Sequence, residues 1–251
     1  MPVDSRIAII TGAGTGIGAA CGAALVNAGW TTVFVGRRME KLEEAAAAAK
    51  GAGTAVPIAC DVTNPEQVEL LFQRVEREYG RLDLLFNNAG MSAPGAPIDE
   101  IPVAVWKEVV DVNVTGSYLC ARSAFGLMRR QKPQGGRIVN NGSISAHAPR
   151  PGSAPYTTTK HAITGLTKTL ALDGRPFDIA VGQIDIGNAL TDMAARMTKG
   201  VPQADGSVRP EPTMDVQRVA EALLHMASLP LDTNILFMTV MATKMPFVGR
   251  G

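Results

Sequence analysis

Short apolar runs of strand length recur along this chain, separated by longer amphipathic stretches, and that alternation restricts its fold more than any other feature. The runs are Ile7–Ile10, Thr32–Val35, Ala55–Ala59, Leu82–Phe86, Ile138–Asn140, Ile179–Ile184 and Ile235–Met241. Their apolar character on both faces suits a sheet covered on both sides. Parallel neighbours need helical crossovers, so the pattern predicts an α/β chain with a doubly wound parallel sheet. Asn64-Pro65 offers a cap and a first-turn proline for a helix over Gln67 to Tyr79. With no linker and no repeat, residues 1–251 are expected to form a single domain. The stretch Thr198 to Thr213, with three prolines and two glycines, reads as a mobile loop, and a substrate loop is expected at about residues 192–213.

Charge narrows the ligand class. Lysine plus arginine (24) nearly balances aspartate plus glutamate (23). No strong field is then available to gather nucleic acid or an anionic membrane, and a small, locally recognised ligand is expected. Cys21, Cys60 and Cys120 sit apart inside apolar stretches, as buried thiols of a reducing compartment do. His147, His161 and His225 lack metal-ligand spacing, so no metal is expected. The N-terminus lacks the regions of a secretory signal, and no apolar run is long enough to span a bilayer. A cytoplasmic protein is the expectation.

The first strand-like run leads into Thr11-Gly12-Ala13-Gly14-Thr15-Gly16-Ile17-Gly18, followed by a small-residue helix. Glycines there let the backbone approach a pyrophosphate, whose charge meets the helix's free N–H groups. Methyltransferases and plain tight turns use such glycines too, but the position after a strand and before a helix is the one the mechanism requires. The second run ends in Gly36-Arg37-Arg38, where an NAD-preferring site would place an acid for the ribose 2′-hydroxyl. A guanidinium can pair with a 2′-phosphate, so Arg37 and Arg38 point to NADP(H) ahead of NAD(H); solvated loop residues are the alternative.

Ser143, Tyr156 and Lys160 are spaced 13 and then 4 residues apart. On a helix the last two share a face, bringing an ammonium beside a phenol. Tyrosine titrates near pH ~10, so acid/base work near neutrality needs its anion stabilised by about 3 kcal/mol. A cation at ~4 Å and an effective dielectric near 20 contributes about 4 kcal/mol before desolvation. One lysine is of the right magnitude, although a tyrosine and lysine at this spacing also occur as ordinary helix surface pairs.

Taken in order, Thr11 to Gly18, Asp61-Val62, Asn87-Asn88-Ala89-Gly90, Asn113, Ser143, Tyr156 and Lys160 resemble the short-chain dehydrogenase/reductase family, in its compact single-domain branch. The resemblance covers nearly the whole chain and implies a Rossmann three-layer sandwich with a seven-stranded parallel sheet. It implies an oxidoreductase moving a hydride between NADP(H) and a ketone or secondary alcohol. Tyr156 would carry the proton, Ser143 hold the substrate oxygen, and Lys160 lower the tyrosine pKa and bind the nicotinamide ribose. Asn113 would hold a water linking Lys160 to solvent, or else be a helix-interior asparagine bonding backbone. Gly12, Gly14, Thr15, Gly16, Ile17 and Gly18 would cradle the cofactor, with Asp61 on the adenine amino group and Val62 offering backbone contact. A turn-forming aspartate is the other reading of Asp61. Asn88, Ala89 and Gly90 would lie beside the cofactor ribose in a mainly structural motif. The resemblance also suggests a homotetramer, with a homodimer next.

Two segments depart from the family's pattern. Its usual Pro-Gly pair after the sixth strand is Ile186-Gly187 here, although Gly187 and Thr191 keep the spacing of a carboxamide site. Losing proline frees a backbone angle and restores an N–H. The ending, Phe237 to Gly251, replaces a glycine-rich finish and can be a strand with an ordered tail, a subunit contact, or both. Met91, Ser145, Met193 and the loop are expected to bound a pocket for a small carbonyl or alcohol substrate. A nonenzymatic nucleotide sensor or scaffold on the same fold is the alternative function.

Overall fold

The computed structural model describes residues 6–191 and 195–248. Its strands are β1 (Ile7–Thr11), β2 (Thr31–Gly36), β3 (Thr54–Ala59), β4 (Leu84–Asn87), β5 (Gly136–Asn141), β6 (Ile179–Gly187), β7 (Val201–Pro202), β8 (Val208–Arg209) and β9 (Phe237–Met241). The helices are α1 (Gly16–Asn27), α2 (Met39–Ala48), α3 (Pro65–Tyr79), α4 (Val103–Val110), α5 (Gly116–Arg130), α6 (Ala154–Gly174), α7 (Ala195–Lys199) and α8 (Gln217–Ser228). Seven strands pair in the order β3-β2-β1-β4-β5-β6-β9, every pair parallel. This is the Rossmann arrangement.

Period-two side-chain alternation divides the core into two layers. From β1, Ala8 and Ile10 pack with α1, α2 and α8 through Leu25, Leu42 and Leu223. Ile7 and Ile9 face the other way, toward α3 and α5 through Phe72, Val75 and Leu127. Every residue of β1 is buried, which is why its sequence shows no polar face. Helix α3 begins as the sequence indicates: Asn64 Oδ1 accepts the Gln67 N–H at 2.9 Å, and Pro65 fills the first turn. Gly80 ends it in the left-handed conformation, at φ 72°.

The strand order reverses between β1 and β4, and ligands of open α/β sheets bind at the carboxyl ends of strands where this happens. The loops after β1, β4, β5 and β6 converge there. Among the described residues, no helix is long and apolar enough to cross a membrane.

Two expectations change. Thr198 to Thr213 is not irregular throughout: α7 ends within it, and β7 and β8 pair antiparallel, Val201 with Arg209 and Pro202 with Val208. Its tip is an Asp205-Gly206 turn in which Asp205 Oδ1 accepts the Ser207 N–H at 2.9 Å. Aspartate before glycine is a strong turn signal, hidden in the sequence by the surrounding prolines. The last strand begins at Phe237 rather than Ile235, and the residues after it form an ordered tail whose Ala242 and Met245 bury against Ile144.

Candidate active site

A cavity of about 620 Å³ opens at the reversal point and runs from the end of β2 to the start of α6. Its floor is the glycine loop. A Cβ on Gly18 would lie 2.2 Å from the Gly12 carbonyl oxygen, so α1 can pack this closely on its own leading loop only with glycine there. Gly18 therefore supports the cradle, whereas Gly12, Gly14, Thr15, Gly16 and Ile17 border the cavity. Thr15 caps α1 without a side-chain hydrogen bond, and the first turn carries no acid. That leaves amide N–H groups suited to an anion.

The segment after β4 is sewn to this floor. Thr11 Oγ1 accepts the N–H groups of both Asn88 and Ala89 at 2.9 Å, and Asn88 Nδ2 donates to the Thr11 carbonyl at 2.9 Å. Asn88, Ala89, Gly90 and Met91 consequently edge the cavity in a fixed position. At the end of β2, Arg37 and Arg38 are exposed and border the cavity mouth. Lys41, not singled out in the sequence, joins them from the first turn of α2 while pairing with Glu44 at 2.6 Å. Its place in the first helical turn after the two arginines was the available signal.

Asp61 and Val62 border the cavity too. Asp61 Oδ1 accepts from Thr63 N and Oγ1 at 3.0 and 2.8 Å, so one carboxylate oxygen serves the turn into α3. Thr191 borders the cavity beside Gly16, where an added Cβ would meet its methyl carbon at 3.2 Å. Gly187 does not border the cavity: its missing side chain faces Met245 Sδ and Met241 Cβ, at 2.7 and 2.8 Å from an added Cβ. Ile186, the residue in the proline's place, borders it instead. The retained glycine thus accommodates the C-terminal tail behind the site.

At the other end, α6 presents Tyr156 in its first turn and Lys160 one turn later. Lys160 is buried; its Nζ donates to the Asn141 carbonyl at 2.7 Å and lies 5.5 Å from the Tyr156 ring centre. The ammonium is therefore fixed beside the phenol by the end of β5. Ser143 follows β5 and starts a short 3₁₀ turn, Ile144–Ala146, with its Oγ accepting the Ser145 N–H at 3.1 Å. Ser143, Ser145, Tyr156 and Lys160 all line the cavity.

Asn113 sits in a five-residue π-helical segment between α4 and α5, a form frequent at functional sites. Its side chain clamps the loop after β4: Oδ1 accepts the Met91 N–H at 2.8 Å, and Nδ2 donates to the Met91 carbonyl at 2.9 Å and Thr159 Oγ1 at 3.0 Å. The side chain thus bonds backbone and Thr159, with one lone pair of Oδ1 left over. Met193 lies outside the described residues.

A charged pair that the sequence did not reveal also reaches the pocket. Arg150, on the loop before α6, lines the cavity and donates through Nη2 to Glu211 and, at 3.0 Å, to Asn188 Oδ1. Glu211 is buried and accepts further from Asn188 at 2.7 Å and Gln203 at 3.0 Å. Burial pushes its pKa up, but the hydrogen bonds from Arg150, Asn188 and Gln203, with the charge of Arg150, outweigh this and hold it below its ordinary value. The segment after β8 is thereby tied to the loop before α6 and to the end of β6.

Comparison with known proteins agrees with this geometry. A model of the short chain dehydrogenase family matches residues 6–202. A 3beta-hydroxysteroid dehydrogenase of Mediterraneibacter gnavus is 37% identical over 68% of this chain, a match spanning 61% of that protein. The structure is similar to an actinorhodin polyketide ketoreductase with NADPH, at TM-score 0.85 and 27% identity, covering 95% of this chain and 96% of that one. It is likewise similar to a 3-ketoacyl-(acyl-carrier-protein) reductase from Brucella melitensis complexed with NADH, at TM-score 0.85 and 25% identity, covering 96% and 98%. With the seven-stranded sheet, the glycine loop and the serine, tyrosine and lysine gathered on one cleft, the chain belongs to the short-chain dehydrogenase/reductase family of nicotinamide-dependent oxidoreductases.

Proposed function

We propose that this protein interconverts a ketone and a secondary alcohol with NADP(H), and that Tyr156 carries the proton. The observation that carries this reading is the placement of Tyr156, Lys160 and Ser143 on one wall of a cavity whose far end is the glycine cradle. The cradle fits a dinucleotide, because Gly12, Gly14, Thr15, Gly16 and Ile17 border the cavity where α1 begins, and its first turn carries no acid to oppose a pyrophosphate. Held there, a nicotinamide cofactor would supply the hydride in reduction and take it up in oxidation.

In reduction Tyr156 Oη gives its proton to the carbonyl oxygen, and in oxidation it takes the proton of the alcohol. Lys160 stabilises the phenolate and would reach the nicotinamide ribose. Ser143 donates to the substrate oxygen, where negative charge develops. Asn113 is assigned the water that returns protons to Lys160. Thr191 would hold the carboxamide, and Asp61 the adenine amino group. Arg37 and Arg38 favour the 2′-phosphate of NADP(H) over NAD(H), because no acid at the end of β2 opposes it. Met91 and Ser145 bound the substrate side, and Met193 is assigned there from the sequence.

Exposed Tyr118 on α5 and Leu172 on α6 support self-association, with a homotetramer ahead of a dimer. The buried free thiols Cys21, Cys60 and Cys120 suit a cytoplasmic setting. The decisive experiment is NADPH oxidation across ketones and aldehydes with wild type and Tyr156→Phe. Turnover is expected for wild type and lost in the variant, with NADPH binding retained. Equal turnover in both would refute the mechanism, and binding without any turnover would favour the sensor.

A further inference from the structure

We propose that Asp185 is a positioning residue for Ser143, fixing the serine's backbone so that its hydroxyl meets the substrate oxygen. The inference rests on the reading of Ser143 as that donor. Asp185 lies near the end of β6 and is 1% exposed. Its Oδ1 accepts the Ser143 N–H at 2.9 Å and Gln183 Nε2 at 2.7 Å, and its Oδ2 lies 2.9 Å from His147 Nε2. A carboxylate acceptor makes the bond to the serine amide stronger than a neutral one would.

Gly142 shows that the strand end is shaped for this contact. A Cβ there would fall 2.1 Å from Asp185 Oδ1 and 2.6 Å from Gln183 Nε2, so glycine lets the carboxylate close over the end of β5. The serine is then held at two points, its N–H by Asp185 and its Oγ by the Ser145 N–H. One lone pair of Oγ is occupied, and the hydroxyl proton is the group left to donate. Asp185 is itself anchored. Gln183 Oε1 accepts from Thr167 Oγ1 at 3.0 Å, Thr167 accepts from Asn140 at 2.9 Å, and Asn140 accepts from Asn87 at 3.0 Å. This buried chain ties β4, β5 and β6 to α6. His147, with 46% of its side chain exposed, covers the solvent side of the carboxylate.

The test compares Asp185→Ala, Asp185→Asn, Ser143→Ala and Thr167→Val. The readouts are kcat and KM on the ketone that wild type reduces best, NADPH affinity by fluorescence, and hydrogen exchange of peptides spanning the Ser143 amide. Asp185→Ala should lower kcat about 100-fold, toward Ser143→Ala, with NADPH affinity within about threefold of wild type. It should also speed exchange at Ser143. Asp185→Asn keeps an oxygen acceptor and should recover protection and bring kcat to within about tenfold of wild type. Thr167→Val breaks the same chain two bonds away and should lower Tm while sparing kcat. Should Asp185→Ala prove unstable, Gly142→Ala displaces the carboxylate without removing it and should give the same kcat loss and exchange. Unchanged Ser143 exchange in Asp185→Ala overturns the proposal, as does a kcat loss in Thr167→Val equal to that of Asp185→Ala. Full activity of Ser143→Ala would instead defeat the reading of the serine, and exchange would still decide whether Asp185 holds its backbone.

Discussion

Replacing Glu211 by alanine should release the loop that carries β7 and β8 at neutral pH. Its side chain is 1% exposed, and that of Arg150 is 15% exposed. Removing one partner of a buried pair leaves an uncompensated charge and costs about 3–5 kcal/mol. Were all of it global, a chain of this size would lose roughly 6–20 °C in Tm. The loss should be mostly local, however, because the loop closes on itself through backbone bonds between Asn188, Leu190 and Met214 and can open while the sheet stays folded. Trypsin reads that opening at Lys199, which is exposed and followed by Gly200, so cleavage is assigned by mass spectrometry. When cleavage tracks the open population, 3 kcal/mol corresponds to about a 100-fold faster cut. The wild-type latch also has a definite pH sign. A folded-state pKa held below the ordinary 4.5 contributes stability that is present above that value and lost as pH falls through the folded value. Cleavage by an acid-active protease should therefore accelerate below about pH 4.5 in wild type and not in Glu211→Ala. Arg150→Met with Glu211→Leu removes both charges and should regain most of the resistance. A Glu211→Ala cleavage rate within about threefold of wild type would refute the latch, because no buried pair would then have been broken.

Three further outcomes test other parts of the molecule. Gly18→Ala puts a Cβ 2.2 Å from the Gly12 carbonyl oxygen, so it should cost about 1–3 kcal/mol by thermal melting and abolish the stabilisation given by NADPH. Arg37→Ala with Arg38→Asp should reverse the thermal-shift preference from NADP to NAD at matched concentration, and an unchanged preference would remove the arginines from cofactor choice. Arg137 is buried with its guanidinium on the carbonyls of Leu229, Pro230 and Thr233 and on Asn234 Oδ1, and burial holds its pKa below the ordinary arginine value. Arg137→Met leaves those acceptors without their donor and should lower stability by about 2–4 kcal/mol in denaturant melts with little change in KM.

What was legible in the sequence is what local geometry writes there. Tyr156 and Lys160 share a helix face because they are four residues apart, and the glycine loop announces itself because turn, approach and helix start fall within eight consecutive residues. The buried strands showed themselves as apolar runs for the same reason. The contacts that shape the cavity around Ser143 and Arg150 join residues far apart in the chain. Glu211 meets Arg150 across 61 positions, and Asp185 meets Ser143 across 42. In the sequence, Glu211 sits between two prolines and looks like a solvated loop acid. Asp185 sits inside an apolar strand with nothing nearby to neutralise it. Only the sheet order, which lays β6 beside β5, makes Asp185 a neighbour of the serine. The Ile186-Gly187 turn follows the same logic: Gly187 faces the tail residues Met241 and Met245, far along the chain, and Asp185, two residues earlier, turns toward Ser143. Alternate residues of a strand face one side, so these two contacts belong to one surface of β6. The tail contact of Gly187 and the acid behind the serine thus share one face of the strand end, with Ile186 between them, and the effect of Ile186→Pro should be read first in Ser143 exchange.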